Sequence, residues 1–148
     1  MYIPCTLHSS SPADTERIGA SLARLILADT DIPRFVALYG DLGVGKTAFV
    51  RGFTSEISPT SRVKSPTFAL VNEYRGDITS VFHFDMYRIE SEDELYSIGF
   101  YDYQDCVIAA EWCEKIEYAL PKKYYRAEIK YVSADSRMIV VEEIGGEK

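Results

Sequence analysis

Apolar positions change period several times along the chain, and each change marks an element. Residues 2–7 alternate weakly and predict a short strand. Ile18, Leu22, Leu25 and Ile26 then recur at helical spacing, predicting a helix over 12–28 that packs through that face. Its start is written locally: Ser11 can cap it, Pro12 suits the first turn, and Asp14 follows three positions after the serine. A turn over 29–33 leads to 34–39, a buried strand apolar throughout 35–39, and 47–57 reads as the next helix. Residues 63–67 read as a loop, and 68–74 and 78–84 as two strands joined through Arg75-Gly76-Asp77 into a hairpin. Ser91 with Glu94 predicts a capping box and a short acidic helix from about Glu92, ended by Gly99. The apolar run 107–110 is a compact strand ending at Glu111, and 125–132 with 137–143 form a closing antiparallel pair. The expectation is one α/β domain over 1–148, with about seven strands in a mixed sheet flanked by helices and a frayed tail from 145.

Composition narrows the possible roles. A chain of 148 residues can bury one sizeable core but has no room for a separate substrate domain. Its formal charge of −7 disfavours a broad contact with a nucleic-acid backbone, which needs clustered Lys and Arg. Cys5, Cys106 and Cys113 have neither disulfide nor zinc-site spacing and read as free thiols in a reducing compartment. The chain has no apolar stretch long enough for a bilayer, and its start lacks the charged and apolar regions of a signal peptide, so the cytoplasm is expected.

The chemistry starts at Gly40-Asp41-Leu42-Gly43-Val44-Gly45-Lys46-Thr47, a complete G-x-x-x-x-G-K-T loop between the predicted strand and helix. Glycines let the backbone curl around phosphate oxygens so that successive amides, and the positive end of the helix, point at the anion. The stretch from Asp41 and Leu42 through Gly43, Val44, Gly45, Lys46 and Thr47 to Ala48 is therefore the candidate nucleotide cradle. Lys46 reaches the terminal phosphates and the Thr47 hydroxyl can ligate Mg²⁺. Hydrolysis also needs an acid at a neighbouring strand end, and Asp85 and Glu111 both qualify. Either could hold Mg²⁺ or orient water. A turn cap, or a pairing with Arg88, would be a purely structural use of Asp85.

Ser65-Pro66-Thr67 is either a turn or a switch whose hydroxyls touch the γ-phosphate or the metal. His83 shares a strand face with Val81 and Asp85 and reads as a hydrogen-bonded structural histidine. Trp112 is a core plug or a partner anchor. Without Asn-Lys-x-Asp the loop favours ATP over GTP, and without Leu-Ser-Gly-Gly-Gln it is not a transporter subunit. Three readings compete: an ATPase with a conformational output, a small-molecule kinase of the same fold, which would want an Arg-rich lid absent here, and a nucleotide-gated binding module.

The phosphate loop, Val63-Lys-Ser-Pro-Thr-Phe68, Val71-Asn-Glu-Tyr74, His83-Phe-Asp-Met-Tyr-Arg88, Asp93-Glu-Leu95, Gly99 and Glu111-Trp112 occur in one order. With them the chain resembles the TsaE (YjeE) family over nearly its whole length. The resemblance implies a three-layer phosphate-loop NTPase fold and an ATPase that binds a complex of the TsaB and TsaD proteins. ATP turnover would support repeated threonylcarbamoyl transfer to adenosine 37 of ANN-decoding tRNAs, with the transfer chemistry left to TsaD. It also implies that Lys46 contacts phosphates, Thr47 and Glu111 hold Mg²⁺, Asp85 serves metal or water, Ser65 and Thr67 form a switch-like loop, and Ser11 and Pro12 lie near the adenine. Cys113 stands where the family often has proline, which bears on the strand exit. A regulator of a tRNA-modifying complex need not touch tRNA, and the acidic surface suits a basic face of a partner. The isolated chain is accordingly expected to shift tRNA far more weakly than the assembled complex in a gel-shift titration; equal shifts would refute this use of the charge.

Overall fold

Central strands with two apolar faces need cover on both sides of a sheet, and this chain supplies it unequally. The computed structural model describes residues 1–41, 43–67, 69–103 and 105–145. The strands are β1 (Cys5–Ser9), β2 (Phe35–Tyr39), β3 (Val71–Arg75), β4 (Ser80–Asp85), β5 (Val107–Glu111), β6 (Tyr124–Ser133) and β7 (Ser136–Ile144). The helices are α1 (Pro12–Ala28), α2 (Lys46–Ser55) and α3 (Glu92–Ser97). The strands form a single seven-stranded sheet in the order β1-β7-β6-β2-β5-β4-β3. Its four inner strands β6, β2, β5 and β4 are parallel, while β7, β1 and β3 join antiparallel at the flanks.

Alternation along β2 divides the core in two. Val36 and Leu38 face α1 and α2, packing with Leu22, Ile26, Phe49 and Phe53. Phe35 and Ala37 face the other way, onto Phe84, Leu95, Phe100, Ile108 and Ile116. That second face is covered by the six-residue α3 and short 3₁₀ turns at Phe100–Tyr103, Cys113–Lys115 and Glu117–Ala119. The three-layer expectation holds, with one thick helical layer and one thin one. Among the described residues no helix is long and apolar enough to cross a membrane.

Several boundaries move from their expected places for local reasons. The first strand begins at Cys5 rather than residue 2, because Pro4 has no N–H to give a ladder. β3 begins at Val71 rather than 68: the Leu70 N–H closes a turn onto the Pro66 carbonyl at 2.7 Å, with Leu70 at φ 67°, and the strand starts only after it. Ile78, expected in the next strand, is 99% exposed in the hairpin turn. Ser91 has extended N-cap geometry but its side chain makes no capping bond, and the Glu94 carboxylate accepts the Glu90 N–H at 3.3 Å rather than that of Ser91, so the helix starts as expected without the reciprocal box. α1 starts as written. Ser11 Oγ accepts the Asp14 N–H at 3.1 Å, and the Asp14 carboxylate accepts the Ser10 N–H at 2.9 Å, a cap worth about 1 kcal/mol.

The contact that seats α2, and the loop before it, is glycine against backbone. A Cβ on Gly52 would overlap the Glu16 carbonyl on α1, and a Cβ on Gly19 would overlap the Phe49 carbonyl on α2. The two helices thus pack at backbone contact, which no side chain could permit. Gly52→Ala is expected to push them apart and cost about 1–3 kcal/mol or more, read as a lower midpoint in urea unfolding. An unchanged midpoint would show that the contact can open freely.

Candidate active site

Three parallel strands bring the chemistry to one edge. β2 lies beside β5 and β5 beside β4, with Leu38 paired to Glu111 and Glu111 to Asp85. The acids at these two strand tips therefore stand next to the loop that leaves β2, at the carboxyl edge where open α/β sheets place their ligands. Alternation puts Asp85 and Glu111 on the face that carries α2.

The loop turns into α2 at Gly45, whose φ of 116° is a conformation that side chains rarely adopt. Val44 points down into the core and is buried, which anchors the loop from below. Arg137 on β7 anchors it from the side, its Nε donating to the Val44 carbonyl at 2.8 Å. Gly43, Gly45, Lys46, Thr47, Ser65, Thr67, Asp85 and Glu111 line one cleft of about 240 Å³, with Trp112 as a further wall. A larger cleft of about 560 Å³ sits at the amino ends of β2 and β5, among Pro33, Arg34, Phe35, Phe100 and Tyr101, away from every group able to bind phosphate in the loop. Convergent donors and acids, not size, mark the smaller one as the site.

Its centre is a buried charge cluster. Glu111 is 6% exposed. Its Oε1 lies 3.7 Å from Lys46 Nζ and its Oε2 lies 2.5 Å from His83 Nε2. Lys46 Nζ also donates to the Gly40 carbonyl at 2.7 Å and sits 4.8 Å from the centre of the Trp112 ring. Neither charge is left alone, which matters because an unpaired ion at this depth costs several kcal/mol. Asp85 Oδ1 accepts the Tyr87 N–H at 2.9 Å. The turn-capping use of Asp85 is thus real and coexists with its place in the cleft.

The other expected site residues are placed as follows. Ser65 and Thr67 enter the cleft with their hydroxyl oxygens 2.7 Å apart. Ala48 lies half-buried in the first turn of α2, and Asp41 is exposed at the loop entry beside Tyr39 and Glu128. Leu42 and Phe68 lie outside the described residues. Ser11 is occupied as the α1 cap with Pro12 after it, and neither lines the cleft. Trp112, expected as plug or anchor, is half-buried at φ 60°; it packs against the second core cluster and its ring, 4.9 Å from that of Tyr87, also forms a wall of the cleft. Cys113 opens the 3₁₀ turn after it, with Sγ donating to the Ala110 carbonyl at 3.3 Å, and this bond holds the strand exit.

Two contributors escaped the sequence. Arg137 reads as an ordinary strand residue, and nothing local ties it to a loop 93 residues away. His83 was legible as hydrogen-bonded, but its partner Glu111 is 28 residues distant; only the shared face of His83 and Asp85 hinted at the site.

A glycine loop between a buried parallel strand and a helix, facing acids at adjacent strand tips, defines the phosphate-loop class of α/β proteins. Within it, the family model described as "Threonylcarbamoyl adenosine biosynthesis protein TsaE" matches residues 9–139, and the chain belongs to the TsaE family. Among curated relatives, the tRNA threonylcarbamoyladenosine biosynthesis protein TsaE of Bacillus subtilis is 34% identical over 135 residues, covering 91% of this chain and 83% of that protein. The protein of the same name from Haemophilus influenzae is 38% identical over 126 residues, covering 83% and 79%. The crystal structure of Bacillus subtilis YdiB superposes with a TM-score of 0.73 at 29% identity, covering 96% of this chain and 86% of that one.

Burial, and after it the charges of Glu114 and Glu111, pushes the Cys113 thiol well above the ordinary range. It is therefore held as an unreactive thiol at neutral pH. In the folded protein Cys113 is expected to alkylate at least about tenfold more slowly than the half-buried Cys106, measured by peptide mass spectrometry. Equal rates would mean that the strand exit opens readily.

Proposed function

We propose that this chain is a Mg²⁺-dependent ATPase of tRNA threonylcarbamoyladenosine biosynthesis, which binds the TsaB and TsaD proteins and couples ATP hydrolysis to cycling of their complex. The observation that carries this reading is the convergence of Lys46, Thr47, Asp85 and Glu111 with the Ser65 and Thr67 hydroxyls around one glycine loop. Membership of the TsaE family supports the pathway.

The residues present fit a triphosphate with its cation. Gly43 and Gly45 allow close backbone approach, and the first amides of α2 face the cleft with the positive end of the helix behind them. The Thr47 hydroxyl and two carboxylates are hard oxygen ligands of the kind Mg²⁺ takes. Among the described residues no three His, Cys, Asp or Glu side chains form a metal cluster. A cation here would be held by one or two carboxylates together with the Thr47 hydroxyl. Mg²⁺, when bound, would neutralise negative charge on the phosphates.

The chain's own groups do the remainder. Lys46 and the loop amides meet charge developing on the transferring phosphoryl group. Thr47 and Glu111 would hold the cation, while Asp85 either shares it or orients the attacking water. Ser65 and Thr67 would read the γ-phosphate and lose that contact on hydrolysis, which changes the docking face for TsaB and TsaD. Ser11 and Pro12 would lie toward the adenine. The protein would work in the cytoplasm and meet tRNA only through its partners.

Phosphate release measured for the chain alone, and with purified TsaB and TsaD, tests the proposal. Stimulation by the pair is expected. Lys46→Ala should lower that turnover about 10²-fold or more, and Glu111→Ala should reduce Mg²⁺-dependent turnover more than nucleotide affinity. Unchanged turnover in Lys46→Ala, or phosphate passing to a metabolite hydroxyl rather than water, would reject the reading.

A further inference from the structure

His83 has no task in the function proposed above, yet it is fully buried and both its ring nitrogens are engaged. On one side His83 Nε2 bonds Glu111 Oε2 at 2.5 Å, where an ionised carboxylate can only accept. This contact holds one carboxylate oxygen back and leaves Oε1 on the side of Lys46. On the far side, His83 Nδ1 lies 3.4 Å from the Tyr74 hydroxyl. Tyr74 Oη accepts the Lys64 N–H at 3.1 Å and donates to the Lys64 carbonyl at 2.9 Å, gripping both backbone groups of one residue. Asn72 Nδ2 donates to the same carbonyl at 3.1 Å. Lys64 immediately precedes Ser65, and Ser65 and Thr67 line the cleft with Glu111. Polar contacts therefore run without a break from the acid, through the sheet, to the loop.

We propose that His83 and Tyr74 are positioning residues that orient Glu111 and tie its setting to the placement of the Ser65-Pro66-Thr67 loop. The coupling follows from the hydroxyl inventory. Tyr74 has one hydrogen to give, and His83 Nδ1 and the Lys64 carbonyl compete for it. The shorter contact, 2.9 Å against 3.4 Å, is to the Lys64 carbonyl, and a change in the His83–Glu111 bond alters how strongly Nδ1 draws on the same hydrogen, because hydrogen bonds in a chain polarise one another. Further compensation of Glu111 by a ligand weakens the draw of Nδ1, so the Tyr74 bond to Lys64 tightens and steadies the loop over the cleft. A bound cation and triphosphate would supply such compensation, so the inference rests on the nucleotide reading above. It adds a route by which occupancy reaches the loop without the γ-phosphate touching Ser65 or Thr67.

Hydrogen exchange by mass spectrometry on the full chain tests it, with Mg²⁺ and a non-hydrolysable ATP analogue added. Phosphate-loop peptides and a peptide spanning 61–67 are read separately. In the unmodified chain both should slow, the 61–67 peptide by about tenfold. Tyr74→Phe and His83→Ala should keep the phosphate-loop response and reduce the 61–67 response to less than about twofold. His83→Gln, which offers a donor and an acceptor on one planar amide, should restore it, which a merely space-filling histidine would not predict. If His83→Ala does not fold, Tyr74→Phe decides. A full 61–67 response in Tyr74→Phe overturns the proposal, as does no response there in the unmodified chain while its phosphate loop is protected. Absence of phosphate-loop protection in the unmodified chain is a different failure: the nucleotide reading falls, and this inference with it.

Discussion

A carboxylate buried to 6% exposure has to be met by cations or donors, and the position of Glu111 constrains much of what surrounds it. Lys46 arrives from the first residue of α2, and His83 from β4 on the opposite side. Meeting both requires that β5 lie between β2 and β4, in a register that sets Glu111 beside Leu38 and Asp85. Shift β4 by one residue and His83 turns to the other face of the sheet, leaving Glu111 half compensated. The charge cluster and the strand order therefore specify each other.

The unequal layers follow the same logic. On the site face, α1 and α2 meet at backbone contact through Gly19 and Gly52, which fixes the height at which α2 begins and hence where Lys46 and Thr47 stand. Arg137 then braces the phosphate loop from β7, linking the antiparallel flank of the sheet to the site. The opposite face is closed by aromatic packing rather than by long helices. Phe82 stacks on Tyr103 at 3.7 Å, and Phe84 meets Phe100 edge-on at 5.4 Å. Such a cover buries apolar area with few residues and lets β5 exit abruptly into the turn that turns Trp112 over Lys46.

Where element types are set by neighbours a few residues apart, the chain is readable directly. The capped start of α1, the continuous apolar run of β2 and the β6–β7 hairpin all come from patterns within one element or turn. Misplacements occurred where a local pattern competed with something it could not display. Pro4 lacks a ladder donor, Leu70 is held left-handed by a bond back to Pro66, and Ile78 looks apolar but sits in a turn. The short helix α3 shows the reverse: its position was legible, but its capping hydroxyl goes unused, the Glu94 N–H donating to the Ser91 carbonyl instead.

By itself the sequence determined the phosphate loop, its flanking strand and helix, and the two acids worth watching, because loop chemistry depends on contiguous residues and strand ends are marked by where an apolar run stops. It also determined the family, since the motifs recur in a fixed order. Only the tertiary structure decided that Glu111 lies between Lys46 and His83 while Asp85 caps a turn, that Trp112 is a wall of the cleft, and that Tyr74 joins His83 to the backbone of Lys64. These are contacts between elements, and strand order and register, which no single segment carries, choose the partners.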